Sequence, residues 1–323
     1  MKKALLSAFL IFLIGNTYSQ DGKIVQREEL KVIDLEDIKN IIFEENGESS
    51  QLKEPYQYLN NVIIEKIVYL SDGLKVVGYI VSPKQIGKYP GIIYNRGGNK
   101  EFGKITQQKV AFILAQMASW GYVVSASQYR GNDGGEGCEE FGGSDVNDVL
   151  SLIPLMQNNE MVIHEKLGIY GWSRGGMMTY LALMRTAVFK AAVIGGGLSD
   201  LHMMKNTRPV MEEVYIDIIP GYLQDKDGLL NARSAIKNVV KIDKTTPILM
   251  LHGTSDWRVV PQMALDLAES FTEQKIPYRL IIYEGGDHGL TEFRKEVNQE
   301  VKMWFEKYVK EGNTLPDLNP HGR

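Results

Sequence analysis

Leu167-Gly168-Ile169-Tyr170-Gly171-Trp172-Ser173-Arg174-Gly175-Gly176 is the stretch on which the reading of this chain turns. An apolar strand runs into a G-x-S-x-G turn, and an apolar helix opens at Met177 and Met178. A serine hydroxyl is a weak nucleophile at neutral pH and needs a base beside it and hydrogen-bond donors ahead of it. A sharp strand-to-helix turn lifts Ser173 clear of the sheet, and Gly171 and Gly175 leave room where side chains would collide. The first N–H groups of the helix are aimed at a developing oxyanion. A glycine-rich turn carrying an incidental serine would read the same over five residues, so the flanking sequence has to decide.

Around this stretch, strands and amphipathic helices alternate. Val62 to Leu70 and Leu74 to Val81 are β-branched runs joined by Ser71-Asp72-Gly73, a hairpin signal. Strands follow at Gly91 to Tyr94, Tyr122 to Ser127, Leu167 to Tyr170, Ala191 to Ile194, Ile248 to Leu251 and Arg279 to Tyr283. Between them lie helical patterns at Gln108 to Trp120, Asp145 to Met156 and Pro261 to Phe271, and Thr291 to Lys310 closes the series. This alternation predicts an α/β class fold: a mostly parallel, doubly wound sheet with an N-terminal antiparallel hairpin at its edge. The interval of about 195–246 breaks the alternation and predicts a helical insertion over the carboxyl ends of the strands, where ligands bind in open α/β sheets. Residues 20–60 predict a helical extension, with one amphipathic helix between Glu28 and Phe43. The catalytic domain is then 61–312, and 313–323 is a loose tail.

A serine nucleophile demands an acid and then a histidine, each just after a later strand. The strand ending at Leu251 runs into His252-Gly253-Thr254-Ser255-Asp256, and the strand ending at Tyr283 runs into Glu284-Gly285-Gly286-Asp287-His288-Gly289. Asp256 and His288 stand where the demand places them. Asp200 and Asp287 are the rival acids, and His252 reads as a residue that shapes the turn presenting Asp256. In that arrangement His288 takes the Ser173 proton and later gives it to the leaving group, while Asp256 fixes the imidazole tautomer. The expected oxyanion hole combines the Arg174 N–H with a donor from the loop Tyr94-Asn95-Arg96-Gly97-Gly98.

These residues resemble the catalytic domain of the prolyl oligopeptidase family of serine peptidases, which has the α/β-hydrolase fold. The resemblance runs from Glu65 to Val309. It rests on Tyr129-Arg130-Gly131, Gly171-Trp172-Ser173-Arg174-Gly175-Gly176, His252-Gly253 to Asp256-x-Arg258-Val259-Val260-Pro261, and Asp287-His288-Gly289. It implies substrate-binding positions at Arg258, Val259, Leu201 and Met204, with Arg258 near the P2 carbonyl or in a structural ion pair. The family often supplies a tyrosine hydroxyl to the oxyanion hole. Here Tyr94 is near, but Arg96 directly precedes the glycine pair. Residues 20–60 are too few for the propeller of the large members, and Arg174, Leu201, Met203 and Met204 replace the aromatic residues of proline-accepting pockets. If Arg174 and Arg96 both face the cleft, they form a site for a carboxylate or several carbonyls; the alternative is that they fold away into surface ion pairs.

The 323 residues, 44% hydrophobic and 24% charged, suffice for a substantial core. A net charge of −4 gives no basic surface for nucleic acid. There is no HExxH, CxxC or Walker sequence, so no metal and no cofactor is expected. Cys138 is the single cysteine, which rules out an intramolecular disulfide. Lys2 and Lys3, the apolar run Ala4 to Ile14 and the small residues Thr17 and Ser19 have the form of a signal peptide cut before Gln20. The run is too short to span a bilayer, so export without a stable membrane anchor is expected. The expected function is an exported serine hydrolase forming an acyl-enzyme on short peptides. A carboxylesterase or polysaccharide deacylase uses the same triad, and a non-enzymatic binding module with a decayed site is the reading from a different class.

Overall fold

A computed structural model describes residues 20–44 and 51–322. The expected leader, residues 1–19, and the polar stretch Gly47 to Ser50 lie outside the described residues. Nine strands form one sheet in the order β1-β2-β3-β5-β4-β6-β7-β8-β9. They are β1 (Ile24–Leu30), β2 (Val62–Ser71), β3 (Leu74–Pro83), β4 (Tyr89–Asn95), β5 (Val123–Ser127), β6 (Val162–Trp172), β7 (Phe189–Gly195), β8 (Ile248–Gly253) and β9 (Tyr278–Tyr283). The first three strands and the β3–β5 pair are antiparallel, and the remaining pairs are parallel. This is the α/β-hydrolase fold.

The β2–β3 hairpin closes with Ser71 opposite Leu74, so Asp72 and Gly73 form a two-residue turn. Both have positive φ, 50° and 77°, as a turn matching the strand twist requires. Arg130 ties this turn to the body of the domain by pairing with Asp148 at 2.8 Å and Asp72 at 2.7 Å.

The N-terminal extension departs from the sequence reading. The expected helix from Glu28 to Phe43 is absent. Instead, β1 pairs antiparallel with β2, so it occupies the sheet edge expected for the hairpin. Its residues Val25 to Glu29 are exposed on both faces, and Arg27 donates two 2.9 Å hydrogen bonds to Glu65. Such a strand is held by backbone pairing and shows no alternation in sequence, while its charges blunt the open edge. Three short helical turns follow, Val32–Asp34, Glu36–Ile38 and Lys39–Ile42. They bury Leu35, Ile38 and Ile42, and leave Ile33 and Ile41 exposed.

Alternate residues of the central strands feed two cores, one on each face. Ile93, Ile169 and Ile194 pack with Val149, Leu152, Met177 and Leu181. Ile92, Tyr94 and Tyr170 pack on the other face with Leu114, Met117, Val301 and Phe305. The helix over 107–119 contains a π turn at Val110–Leu114. The helix after β5 is interrupted between Val146–Leu150 and Leu152–Gln157, where Pro154 has no N–H to return to Leu150. Between β7 and β8 lie the helices Leu201–Thr207, Met211–Ile218 and Lys226–Arg233. Among the described residues no helix is long and apolar enough to cross a membrane.

The parallel register brings Asn95, Gly171 and Trp172 level with Ser127 and Gly195. The loops that leave the carboxyl ends of β4, β6, β8 and β9 therefore converge, and they carry Gly97, Ser173, Asp256 and His288.

Candidate active site

Ser173 sits between β6 and the helix Arg174–Leu183 with φ 60° and ψ −124°, a conformation costly for any residue with a Cβ. The surroundings hold it there. Its N–H donates to Gly195 O at 2.8 Å, and its carbonyl accepts from Gly176 N–H at 2.9 Å. A Cβ added at Gly171 would overlap the Gly175 carbonyl, and one at Gly175 would overlap the Asn95 carbonyl. The two glycines are therefore required by close backbone approach. The Arg174 N–H, first in the helix, has no intrahelical acceptor.

Asp256 is buried and both its oxygens are engaged. Oδ1 accepts the Arg258 and Val259 N–H groups, each at 2.9 Å. Oδ2 lies 2.7 Å from His288 Nδ1 and 3.3 Å from His252 Nε2. Burial alone would raise the Asp256 pKa. The hydrogen bonds to His252 and His288, the charge of His288 and the Val259 N–H outweigh it and hold the carboxyl well below its ordinary value. A carboxylate can only accept, so the proton of neutral His288 sits on Nδ1, and Nε2 keeps the lone pair. His252 Nε2 also lies 2.8 Å from the Val259 carbonyl, so that nitrogen carries its proton. Trp172 Nε1 donates to His288 O at 2.8 Å and pins the histidine loop to the serine strand. Gly196, at φ 49°, passes beneath this pair; a Cβ there would lie 3.3 Å from His288 Nδ1. The roles of His252, Trp172 and Gly196 carried no signal in sequence beyond the position of the His252-Gly253 pair at a strand end.

The rival acids are used elsewhere. Asp200 caps the helix Leu201–Thr207 by accepting the His202 and Met203 N–H groups. Asp287 accepts from Gly289 and Thr291 N–H. Ser173 and His288 face one cavity of about 420 Å³. Ser173 Oγ has no hydrogen-bond partner among the described residues, and contacts of this kind tighten when substrate arrives.

Four sequence expectations need correction. Arg174 and Arg96 do not face the cleft: their exposures are 2% and 0%. Both guanidinium groups lie over the Tyr129 ring, at 5.1 and 5.0 Å, and both reach Glu139, at 2.9 and 3.5 Å. Arg174 also pairs with Asp145 at 2.6 Å. These are ion pairs, but buried ones. Leu201 and Met204 are buried in the core beside Ile218 and Ile219, away from the cavity wall. Val259 is buried too, and acts through the N–H that holds Asp256. Arg258 does line the cavity, and its guanidinium lies over the Trp257 and Phe102 rings.

The buried cluster shapes the oxyanion loop from below. Arg174 donates to Gly98 O at 2.9 Å, Arg96 to Gly97 O and Lys100 O at 3.3 Å, and Tyr129 Oη to Arg96 O at 2.9 Å. Glu139 accepts the Lys100 N–H. Burial alone would raise the Glu139 pKa, but Arg174, the Lys100 N–H and Arg96 hold it below its ordinary value. Removing one partner of a buried pair costs about 3–5 kcal/mol, which is why such loops are held rigidly. Above the cluster, Gly97 approaches the nucleophile so closely that a Cβ on it would lie 3.1 Å from Ser173 Cβ. Tyr94 lines the cavity with its ring against Tyr170. No group of three or more metal-ligating side chains occurs among the described residues, and Cys138 is exposed.

A serine held on a sharp turn, an oriented imidazole and helix N–H groups without intrahelical acceptors are an arrangement suited to acyl transfer. Comparisons with known proteins agree. The sequence model of the prolyl oligopeptidase family matches residues 108–312. An uncharacterized peptidase, YtmA of Bacillus subtilis, is 33% identical over 229 residues, covering 71% of this chain and 87% of the relative. The dipeptidyl-peptidase 5 of Porphyromonas gingivalis is 26% identical over 74% of this chain, which spans only 37% of that relative's length. Among solved structures, a puromycin-hydrolyzing peptidase of Mycobacterium tuberculosis superposes with a TM-score of 0.67 at 23% identity, over 80% of this chain and 41% of its own. The chain belongs to the prolyl oligopeptidase family, and its catalytic fold is that of the serine peptidases in it.

Proposed function

We propose that this protein cleaves short peptides through an acyl-enzyme, with Ser173 as nucleophile, His288 as general base and acid, and Asp256 as the group that orients and stabilises the imidazolium. The observation that carries the reading is the 2.7 Å His288–Asp256 pair opening with Ser173 onto one cavity. Ser173 Oγ attacks the scissile carbonyl carbon while His288 Nε2 takes its proton. The carbonyl oxygen becomes an oxyanion facing the N–H groups of Arg174 and Gly97. The C–N bond then breaks, and the amine departs with the proton from His288. Water, deprotonated by the same nitrogen, attacks the acyl-enzyme ester and regenerates Ser173. Peptide rather than ester as the physiological substrate is supported by family membership and by the peptidase names of the relatives.

A panel of acyl-peptide anilides and matched acyl esters tests this. Anilide cleavage inhibited by a fluorophosphonate is expected. Hydrolysis confined to the esters would overturn the peptidase assignment.

We also propose export, on the Lys2-Lys3 start and the Ala4 to Ile14 run. Protein recovered from outside the cytoplasm is expected to begin at or near Gln20. N-terminal sequencing that finds residues 1–19 retained on cytoplasmic protein sinks the proposal.

A further inference from the structure

The cavity that opens at Ser173 does not run toward the insertion. It runs between the helix over 107–119 and the helix Arg294–Phe305, beneath the oxyanion loop. Its walls include Tyr94, Phe112, Ile113, Met117, Tyr170 and Val301. The insertion lines a separate cavity of about 700 Å³, between residues 216–224 and the glycine-rich loop after β5, and neither Ser173 nor His288 lines it.

The cavity's charge is one-sided. Lys109, Arg258 and Arg294 line it, and no aspartate or glutamate does, in a chain whose net charge is −4. None of the three cations forms an ion pair among the described residues; Arg258 stacks on aromatic rings instead. Lys109 is the most enclosed. Its ammonium donates to the Gly103 carbonyl, and Gly103 packs directly against Gly97 in the oxyanion loop. An ammonium has three donors, so one carbonyl leaves the other two unclaimed.

We propose that this slot binds an amphiphilic anion: an apolar group of the substrate fills the space between the two helices, and a carboxylate on that group pairs with Lys109. The proposal deepens the peptidase reading and rests on it for the identity of the substrate as a peptide or acylated peptide. The apolar walls gain from burying hydrocarbon, and a partly desolvated cation gains more from a carboxylate than an exposed one would. An α-ammonium group would meet three cations and no carboxylate, so the slot also selects against a free amino terminus placed there.

The charged surroundings of Lys109 set its pH behaviour. Burial first, and the charge of Arg96 second, lower its pKa to about 8. Arg258, Arg294 and His288 face the same cavity, with the phenols of Tyr94 and Tyr170. The acids on elements packed beside it are Glu36 and Asp37 on the turn against the helix, Glu101 on the oxyanion loop and Glu139 on the glycine-rich loop after β5. Glu36, Glu101 and Glu139 pair with Lys39, Lys104 and Arg174. Neither they nor Asp37 contributes to the Lys109 shift. Carboxylate binding requires protonated Lys109, so it is strong below about pH 8 and weakens above it.

The test is calorimetric binding of 4-phenylbutyrate and 4-phenylbutanamide to the wild-type protein, Lys109→Met and Lys109→Arg, at pH 7 and pH 10. A hydrogen-bonded charge pair predicts a carboxylate preference of about tenfold or more at pH 7 in the wild type. That preference should collapse at pH 10 and be absent in Lys109→Met at both pH values. In Lys109→Arg it should persist at both, because arginine stays charged. The amide reports packing alone, and any acid-over-amide preference left in Lys109→Met reports His288 or the arginines. Equal affinities for acid and amide in the wild type at pH 7 would overturn the proposal, as would binding of neither ligand or a pH profile unchanged in Lys109→Arg. Fluorophosphonate labelling of the same wild-type sample reports on Ser173 separately, so a failure of the slot is distinguishable from a failure of the catalytic reading.

Discussion

Ser173→Ala protein is expected to fold normally, to lose covalent labelling by a fluorophosphonate, and to lose turnover by about 10³-fold or more. The structural half of this expectation follows from how the serine is held. Its strained backbone is fixed by bonds from its own N–H and carbonyl, to Gly195 and Gly176, which alanine keeps. Alanine also has the same Cβ, so the cost of φ 60° does not change. The hydroxyl itself supports nothing in the resting fold. The chemical half follows from the loss of the only atom that attacks the carbonyl. What remains is the slow attack of water aided by the oxyanion donors. Circular dichroism and thermal denaturation check the fold; kcat on the best substrate of the panel checks the chemistry. Turnover equal to wild type would remove Ser173 from the mechanism.

The elements that position the site were legible because their physics is local. β2 to β9 read as β-branched or apolar runs bounded by Gly, Pro and Asp, and the doubly wound cores require such runs. Ser173, Asp256 and His288 were legible because each follows a strand in chain order. β1 was not, since Ile24–Leu30 is a polar edge strand that exists through pairing with β2, and pairing leaves no periodic trace. The arginines were misjudged for a related reason. Their partners Glu139 and Asp145 come from the glycine-rich loop after β5, whose path depends on left-handed residues such as Tyr129, Asp133 and Phe141. Nothing near Arg96 or Arg174 in sequence signals those carboxylates. The cavity is the most nonlocal feature of all. Ile113 and Val301 both line it, from helices nearly two hundred positions apart, so its walls and its charge emerge only when the sheet is assembled.

Asp256→Asn should lower kcat by about 10⁴-fold while leaving the protein folded, a loss as large as that of the nucleophile and for a different reason. The asparagine carbonyl can keep accepting the Arg258 and Val259 N–H groups, as Asp256 Oδ1 does. That choice turns the amide NH₂ toward His288 Nδ1 and His252 Nε2. His288 must then accept at Nδ1, which moves its proton to Nε2 and removes the lone pair that takes the Ser173 proton. His252 cannot adjust in the same way, because Val259 O requires its Nε2 proton, so a donor is left facing a donor. The same geometry sets the acid behaviour. The folded-state pKa of Asp256 lies below its ordinary value of 3.8. Its contribution to stability is therefore complete above about pH 4, and fades only as the pH falls through the lower folded value. Asp256→Asn lacks this carboxylate, so its stability deficit relative to wild type should shrink only as the pH falls below about 4. A variant that retains turnover within about tenfold of wild type would show that Asp256 does not orient His288 for catalysis.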